Sequence, residues 1–184
     1  MASLLRRLHR TPGERFGGLL SDDSQWPEAW AQTNANLERS VADHVAQGGS
    51  VDVAERVKRF VYRNRELFES GLRPAFCHRD LNSGNILVSA AGPPHIPGIV
   101  DLERAASDDP LADLALTTLH LRSHDPVSAE VLIEAYGLDS TERRRLEVHV
   151  VLLALAERIR VVEDRPAGWA ESAAALEDLL LRST

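Results

Sequence analysis

Two short apolar runs with a turn between them constrain this chain more than any other feature. Ile86-Leu87-Val88 and His95-Ile96-Pro97-Gly98-Ile99-Val100 flank Gly92-Pro93-Pro94, which is turn chemistry, so they read as the strands of a β-hairpin. Polar residues stand at its open end. Asp80 lies five residues before Asn85, Gly84 lets the backbone turn sharply between them, and Asp101 follows the second strand directly. The hairpin would bring Asp101 to face Asn85. Each pattern alone has a plain reading: an Asp-x-x-x-x-Asn pair is commonly a surface turn, and an Asp after an apolar run commonly caps a helix. Both together, in this order on one hairpin, form a far more specific signal.

Within His78-Arg79-Asp80-Leu81-Asn82-Ser83-Gly84-Asn85, five of eight consecutive positions match H-R-D-L-x-x-x-N, the catalytic-loop pattern of kinases. Asp101 is followed by Leu102-Glu103, not Phe-Gly, no Ala-Pro-Glu comes later, and Asp109-Pro110-Leu111-Ala112-Asp113-Leu114-Ala115 follows soon afterwards. With that combination the chain resembles the aminoglycoside phosphotransferase and choline kinase branch of small-molecule kinases. The motifs run from residue 76 to 115, and Leu4-Leu5-Arg6-Arg7-Leu8-His9 with Gly13-Glu14-Arg15-Phe16-Gly17 is similar to the start of that family's C-terminal lobe. The resemblance implies transfer of the γ-phosphate of ATP to a hydroxyl of a small molecule. It implies Asp80 as catalytic base, Asn85 and Asp101 as ligands of Mg²⁺, and His78 and Asp113 as braces of the loop. The family's loop commonly reads His-Gly-Asp-x-x-x-x-Asn, so Arg79 is a departure toward the protein-kinase form.

A kinase of this mechanism also needs a glycine-rich cover over the phosphates and a strand lysine. The chain holds one lysine, Lys58, inside an apparent helix with no strand before it, where it reads as a surface residue. The run from Gly13 to Gly18 lacks the G-x-G-x-x-G spacing, so no nucleotide-binding residue is identified. The expectation is a single α+β domain over residues 1–184, predominantly helical: a protein-kinase-like C-terminal lobe with one catalytic hairpin, lacking the N-terminal nucleotide lobe and inactive alone. The rival reading is a non-catalytic kinase-like remnant or binding module.

The formal net charge of −7 argues against nucleic acid or an anionic membrane as main partner and suits a cationic small substrate. The sole cysteine, Cys77, excludes an internal disulfide framework and fits a reducing cytoplasm. The longest wholly apolar run, residues 150–156, is far below the ~20 residues of a membrane span.

Helices are expected over residues 2–9, 27–46, 50–70, 110–121 and 127–136, then a long one capped by Ser140 or Thr141 and ending before Pro166, and a last one over 169–181. A loop should run on from Thr11 to residue 24. Trp26, Trp30, Leu37, Val41 and Val45 would form the apolar stripe of the second helix, and Gly71 would stop the third. Residues 146–162 are apolar on most faces and should form the central buried helix, while Arg143-Arg144-Arg145 reads as a solvated face. His120 and His124 have i, i+4 spacing outside an H-E-x-x-H frame and read as structural or solvent-facing.

Overall fold

The computed structural model describes residues 1–19, 25–69, 71–89, 91–93 and 95–184; residues 20–24 of the expected loop and Pro94 of the hairpin turn lie outside these. In chain order the elements begin with α1 (Ala2–Leu8), β1 (Phe16–Gly18), β2 (Gln25–Trp26), α2 (Ala29–Ala46), α3 (Val51–Arg63) and a 3₁₀ turn (Arg65–Phe68). Then come β3 (Ala75–Cys77), a 3₁₀ turn (Ser83–Asn85), β4 (Ile86–Ser89), β5 (His95–Ile99), β6 (Ala106–Asp108), α4 (Pro110–His124), α5 (Pro126–Tyr136), α6 (Ser140–Asp164) and α7 (Trp169–Ser183). The fold is mostly helical with small antiparallel sheets, as its helical periodicity and single strong hairpin lead one to expect. The chain divides into two compact units, residues 1–27 with 73–138, and 28–72 with 139–184.

In the first unit β4 and β5 pair antiparallel as the expected hairpin, with Ile86 opposite Ile99 and Leu87 opposite Gly98. Pro97 is tolerated because a two-stranded ribbon has only edges. A second sheet was not expected from the sequence. It has four strands in the order β2-β1-β6-β3, all neighbours antiparallel, with Ser107 of β6 opposite Gly17 on one side and Phe76 on the other. Its strands are two or three residues long, too short to show alternation. Phe16 is buried, consistent with packing in place of phosphate binding. From β6 the chain passes straight into α4, where Asp109 accepts the Leu111 amide (3.0 Å) and Pro110 occupies the first turn. α5 closes on Gly137 at φ 81°, the left-handed cap its sequence announces.

In the second unit α2, α3, α6 and α7 pack together. α2 starts at Ala29, so Trp26 belongs to β2 and shares no helix with Trp30. Near the end of α2 the buried residue is His44, whereas Val45 is exposed. His44 takes the core position because its Nε2–H donates to the Ser50 carbonyl (3.1 Å), and because Gly49 has no side chain: a Cβ there would lie 2.4 Å from the ring. α3 ends at Arg63, short of Gly71, where the Asn64 carboxamide donates to the Phe60 carbonyl (2.9 Å) and a 3₁₀ turn buries Leu67 and Phe68. α6 is capped by Asp139, ahead of the expected Ser140 or Thr141, through a capping box in which Asp139 accepts the Glu142 amide and Glu142 accepts that of Asp139. Its Leu146, Val148, Val150, Val151, Ala154, Leu155 and Val161 are buried and form part of the unit's core, together with residues such as Leu37, Val57 and Leu180. Arg145 is buried and so departs from the solvated arginine run, since helical phase sets it one turn from buried His149; Arg143 and Arg144 stay exposed. Among the described residues no helix is long and apolar enough to cross a membrane.

Candidate active site

β3 delivers the chain to the loop that follows it, and α4 holds that loop. Asp113, wholly buried, accepts the His78 amide at Oδ2 and the Arg79 amide at Oδ1, both at 2.8 Å. One turn along the same face, the Thr117 hydroxyl donates to the Leu81 carbonyl (3.1 Å). These two side chains grip residues 78–81 by backbone groups alone, so the grip places no demand on what the loop's own side chains do. His9, at the end of α1, donates or shares a proton with Asp113 Oδ2 (3.3 Å), and its other nitrogen meets the Tyr136 hydroxyl (2.7 Å). Burial alone would raise the Asp113 carboxyl; the bonds from His9 and then from the two amides outweigh it and hold the group below the usual carboxylate range.

The ring of His78 reaches the other way. A carbonyl only accepts, so Nε2–H donates to Val100 O (3.0 Å), and the loop is tied to the residue before Asp101. The Val100 amide donates to the Asn85 carbonyl (3.0 Å), extending the β4–β5 ladder one step and carrying Asp101 to the turn that holds Asn85. Asp101 itself has φ 67°. A non-glycine residue in the left-handed region is strained by roughly 1–2 kcal/mol, and such residues concentrate at functional sites. Its side chain is exposed, and among the described residues no donor reaches it.

Between these anchors the Asp80 carboxylate is oriented by two carboxamides. Asn82 Nδ2 donates to Oδ1 (3.1 Å) and Asn85 Nδ2 to Oδ2 (3.4 Å), while Asn85 Nδ2 also meets the Asp80 carbonyl (2.8 Å). Asn82 is fixed in turn by accepting the Gly84 amide (2.8 Å). Each carboxylate oxygen keeps lone pairs for an incoming hydroxyl proton. With its nitrogen committed to Asp80, Asn85 retains the carboxamide oxygen. That oxygen and the free Asp101 carboxylate are hard donors, the kind that fit Mg²⁺.

The structure therefore brings Asp80, Asn85, Asp101, His78 and Asp113 into one unit and one loop system. Reading the sequence missed Asn82, Thr117, His9 and Tyr136. Only Asn82 left a local signal, an Asn two residues before Gly, which favours an Asx turn. Cys77 is fully buried; burial, then Asp113 and Asp108, push its thiol well above the ordinary range, which makes it inert. His9, Cys77 and Asp113 hold potential ligand atoms within 4.8 Å of one another, but the carboxylate already accepts from three donors, His9 among them, and the thiol is held neutral. The trio is a packed brace.

A model of the phosphotransferase enzyme family matches residues 1–149. The chain is 28% identical over 160 residues to an aminoglycoside 3'-phosphotransferase of Escherichia coli, covering 83% of this chain and 53% of that protein. A thermostable mutant of aminoglycoside phosphotransferase APH(4)-Ia, solved in ternary complex with AMP-PNP and hygromycin B, superposes with a TM-score of 0.70 at 17% identity, over 99% of this chain and 62% of the other. APH(3'')-Id of Streptomyces rimosus gives 0.52 at 24% identity, over 83% and 59%. The likeness to these structures is one of fold, and the chain spans between about half and three-fifths of the length of the proteins it matches. A matched segment running from α1 into α6, and enclosing the loop, the hairpin and the α4 clamp, establishes that this chain belongs to the phosphotransferase enzyme family.

Proposed function

We propose that this chain is the C-terminal, substrate-side lobe of a cytoplasmic kinase that transfers the γ-phosphate of ATP to a hydroxyl of a small molecule, an aminoglycoside or another hydroxylated amine. The observation that carries the reading is the Asp80 carboxylate, held at both oxygens by Asn82 and Asn85 on a loop whose backbone is clamped by Asp113. In the step itself the acceptor oxygen forms a bond to the γ-phosphorus, the bond from that phosphorus to the β,γ-bridging oxygen breaks, and ADP leaves with the electron pair. Asp80 accepts the hydroxyl proton. Its orientation keeps the acceptor oxygen in line with the phosphorus, and positioning supplies most of the acceleration in this class of reaction. Asn85 and Asp101 would hold Mg²⁺, which when bound neutralises charge on the phosphates. The acid excess of the chain suits a cationic acceptor.

The nucleotide clamp belongs to a lobe outside these 184 residues. The only lysine, Lys58, lies on α3 and pairs with Glu38 at 2.7 Å, an ordinary helix-to-helix surface contact. Two versions of the protein test the reading: residues 1–184 alone, and the same residues joined behind the nucleotide lobe of a relative. Both are assayed for nucleoside diphosphate release with ATP and with GTP, since one fold neighbour is a GDP complex. The joined protein turns over a hydroxylated amine and the isolated chain does not. Robust turnover by the isolated monomer would overturn the missing lobe. A well-folded joined protein that is inactive across a broad panel would favour a non-catalytic binding module.

A further inference from the structure

Arg79 is the one loop residue that departs from the glycine of the resembled family, and its surroundings give that departure a purpose. Its backbone has φ 64°, a conformation natural to glycine and strained for a long side chain. Two bonds offset the strain. The amide donates to Asp113, and the guanidinium reaches back to the Asp108 carboxylate in an ion pair. Asp108 is the last residue of β6, a central strand of the four-stranded sheet, and its side chain is only 6% exposed against 31% for Arg79. Its second oxygen accepts the Asp109 amide (2.8 Å), which fixes the carboxylate at the entry to α4. A buried carboxylate tethered in this way needs a cation, and Arg79 supplies it.

We propose that Arg79 is a positioning residue: its ion pair with Asp108 locks the left-handed turn that immediately precedes Asp80 to the central sheet, and so sets the direction in which the Asp80 carboxylate points. Glycine at this position leaves the turn relaxed but free. Arginine with Asp108 makes it rigid. The pair is the loop's only anchor to the sheet by a side chain among the contacts found at the described residues; Asp113 and Thr117 grip from α4 and His78 grips the hairpin.

The kinetic half of this proposal rests on the phosphotransfer reading, and the structural half does not, so the test has two arms. Arg79→Gly, Arg79→Lys, Asp108→Asn and the double variant Arg79→Gly/Asp108→Asn are compared with the parent. In the 184-residue chain, hydrogen exchange is followed at the amides of Asn82 and Asn85, which donate to Asp80 O and Asn82 O, and of Gly84, which donates to Asn82 Oδ1. Exchange there speeds by about tenfold or more in Arg79→Gly, and Arg79→Lys, which keeps a cation, recovers part of the protection. The double variant removes the backbone strain and the stranded charge together, so its melting temperature returns toward the parent while its loop stays loose. In the joined protein the double variant loses kcat by a factor on the order of 10² with KM within about twofold, because misdirection of the base affects the reacting geometry and not binding. Loop exchange equal to the parent's in Arg79→Gly overturns the proposal. So does a double variant restored in both stability and loop protection, since the pair would then act on stability only. If the joined parent is inactive, the proposed function fails and the exchange arm still decides this inference.

Discussion

Replacing Asp113 by Ala tests the clamp on which the site depends. The carboxylate is wholly buried and accepts from the His78 and Arg79 amides at 2.8 Å and from His9 at 3.3 Å. Bonds to a charged group contribute about 1.5–3 kcal/mol each, and a buried donor left unmade costs about 1–3 kcal/mol. The two amides and the histidine together therefore lose several kcal/mol, and relief from burying a charge returns part of it. A net loss of about 3–5 kcal/mol is expected, the range found when one partner of a buried charged network is removed. For a chain of this size each kcal/mol lowers the melting temperature by about 2–4 °C, so the unit holding Asp113 should melt roughly 6–20 °C lower. The sign with pH follows from the lowered carboxyl. A group depressed on folding contributes stability above its unfolded value, about 3.9, and loses it as pH falls through the folded one. The gap between parent and Asp113→Ala is thus full at neutral pH and narrows below about pH 4. Thermal unfolding across pH, with hydrogen exchange at residues 78 and 79, measures both effects. A melting temperature within about 2 °C of the parent at neutral pH, with those amides still protected, would refute the reasoning.

In the joined protein, Asp80→Asn lowers kcat by roughly 10²–10⁴ and leaves nucleotide affinity nearly unchanged; comparable turnover would end the assignment of Asp80 as base. Asn85→Ala and Asp101→Ala each raise the Mg²⁺ concentration needed for half-maximal rate, and magnesium titrations that overlay the parent would remove both from the metal's ligands. In the second unit, burial first and then the Arg158 guanidinium hold His44 below its ordinary value of about 6.5, against the opposing pull of the Ser50 carbonyl and Glu177. The unfolded chain therefore takes a proton that the folded unit refuses, and stability falls as pH drops from about 6.5 toward the lower folded value. His44→Gln should lose less on going from neutral to mildly acid solution than the parent does, as read by melting temperature; equal losses in the two would remove His44 as the acid-sensitive group.

What the sequence made legible is what the chain builds from near neighbours. Asp80, Asn82 and Asn85 bond to one another within six consecutive residues, so their spacing alone encodes the carboxylate's cradle. The hairpin strands flank their own turn, and α4 announces its start by Asp109 and Pro110. The four-stranded sheet left no such mark. It joins segments from both stretches of its unit, and beside it Gly13 comes so close to Ser107 of β6 that a Cβ there would lie 1.7 Å from the hydroxyl oxygen. The same holds for the anchors of the loop. His9 is 104 residues from Asp113, and Arg79 is 29 from Asp108. No periodicity in hydrophobic pattern specifies a polar partner at that distance.

This division between near chemistry and distant anchors separates two ways in which the site can fail. The groups proposed to touch reactants, Asp80, Asn85 and Asp101, are partly or fully exposed, and their loss should cost rate while costing little stability. The groups that hold them, Asp113, Thr117, Asp108 and the ring of His78, are buried and bonded to backbone, Asp108 also to the Arg79 guanidinium. Their loss should cost stability first and rate through geometry. Arg79 lies between the two sets: its guanidinium is partly exposed, its partner is buried, and its backbone leads directly into Asp80. A substitution there is the one for which rate and stability should separate, since relieving the strain restores the fold without restoring the direction of the base.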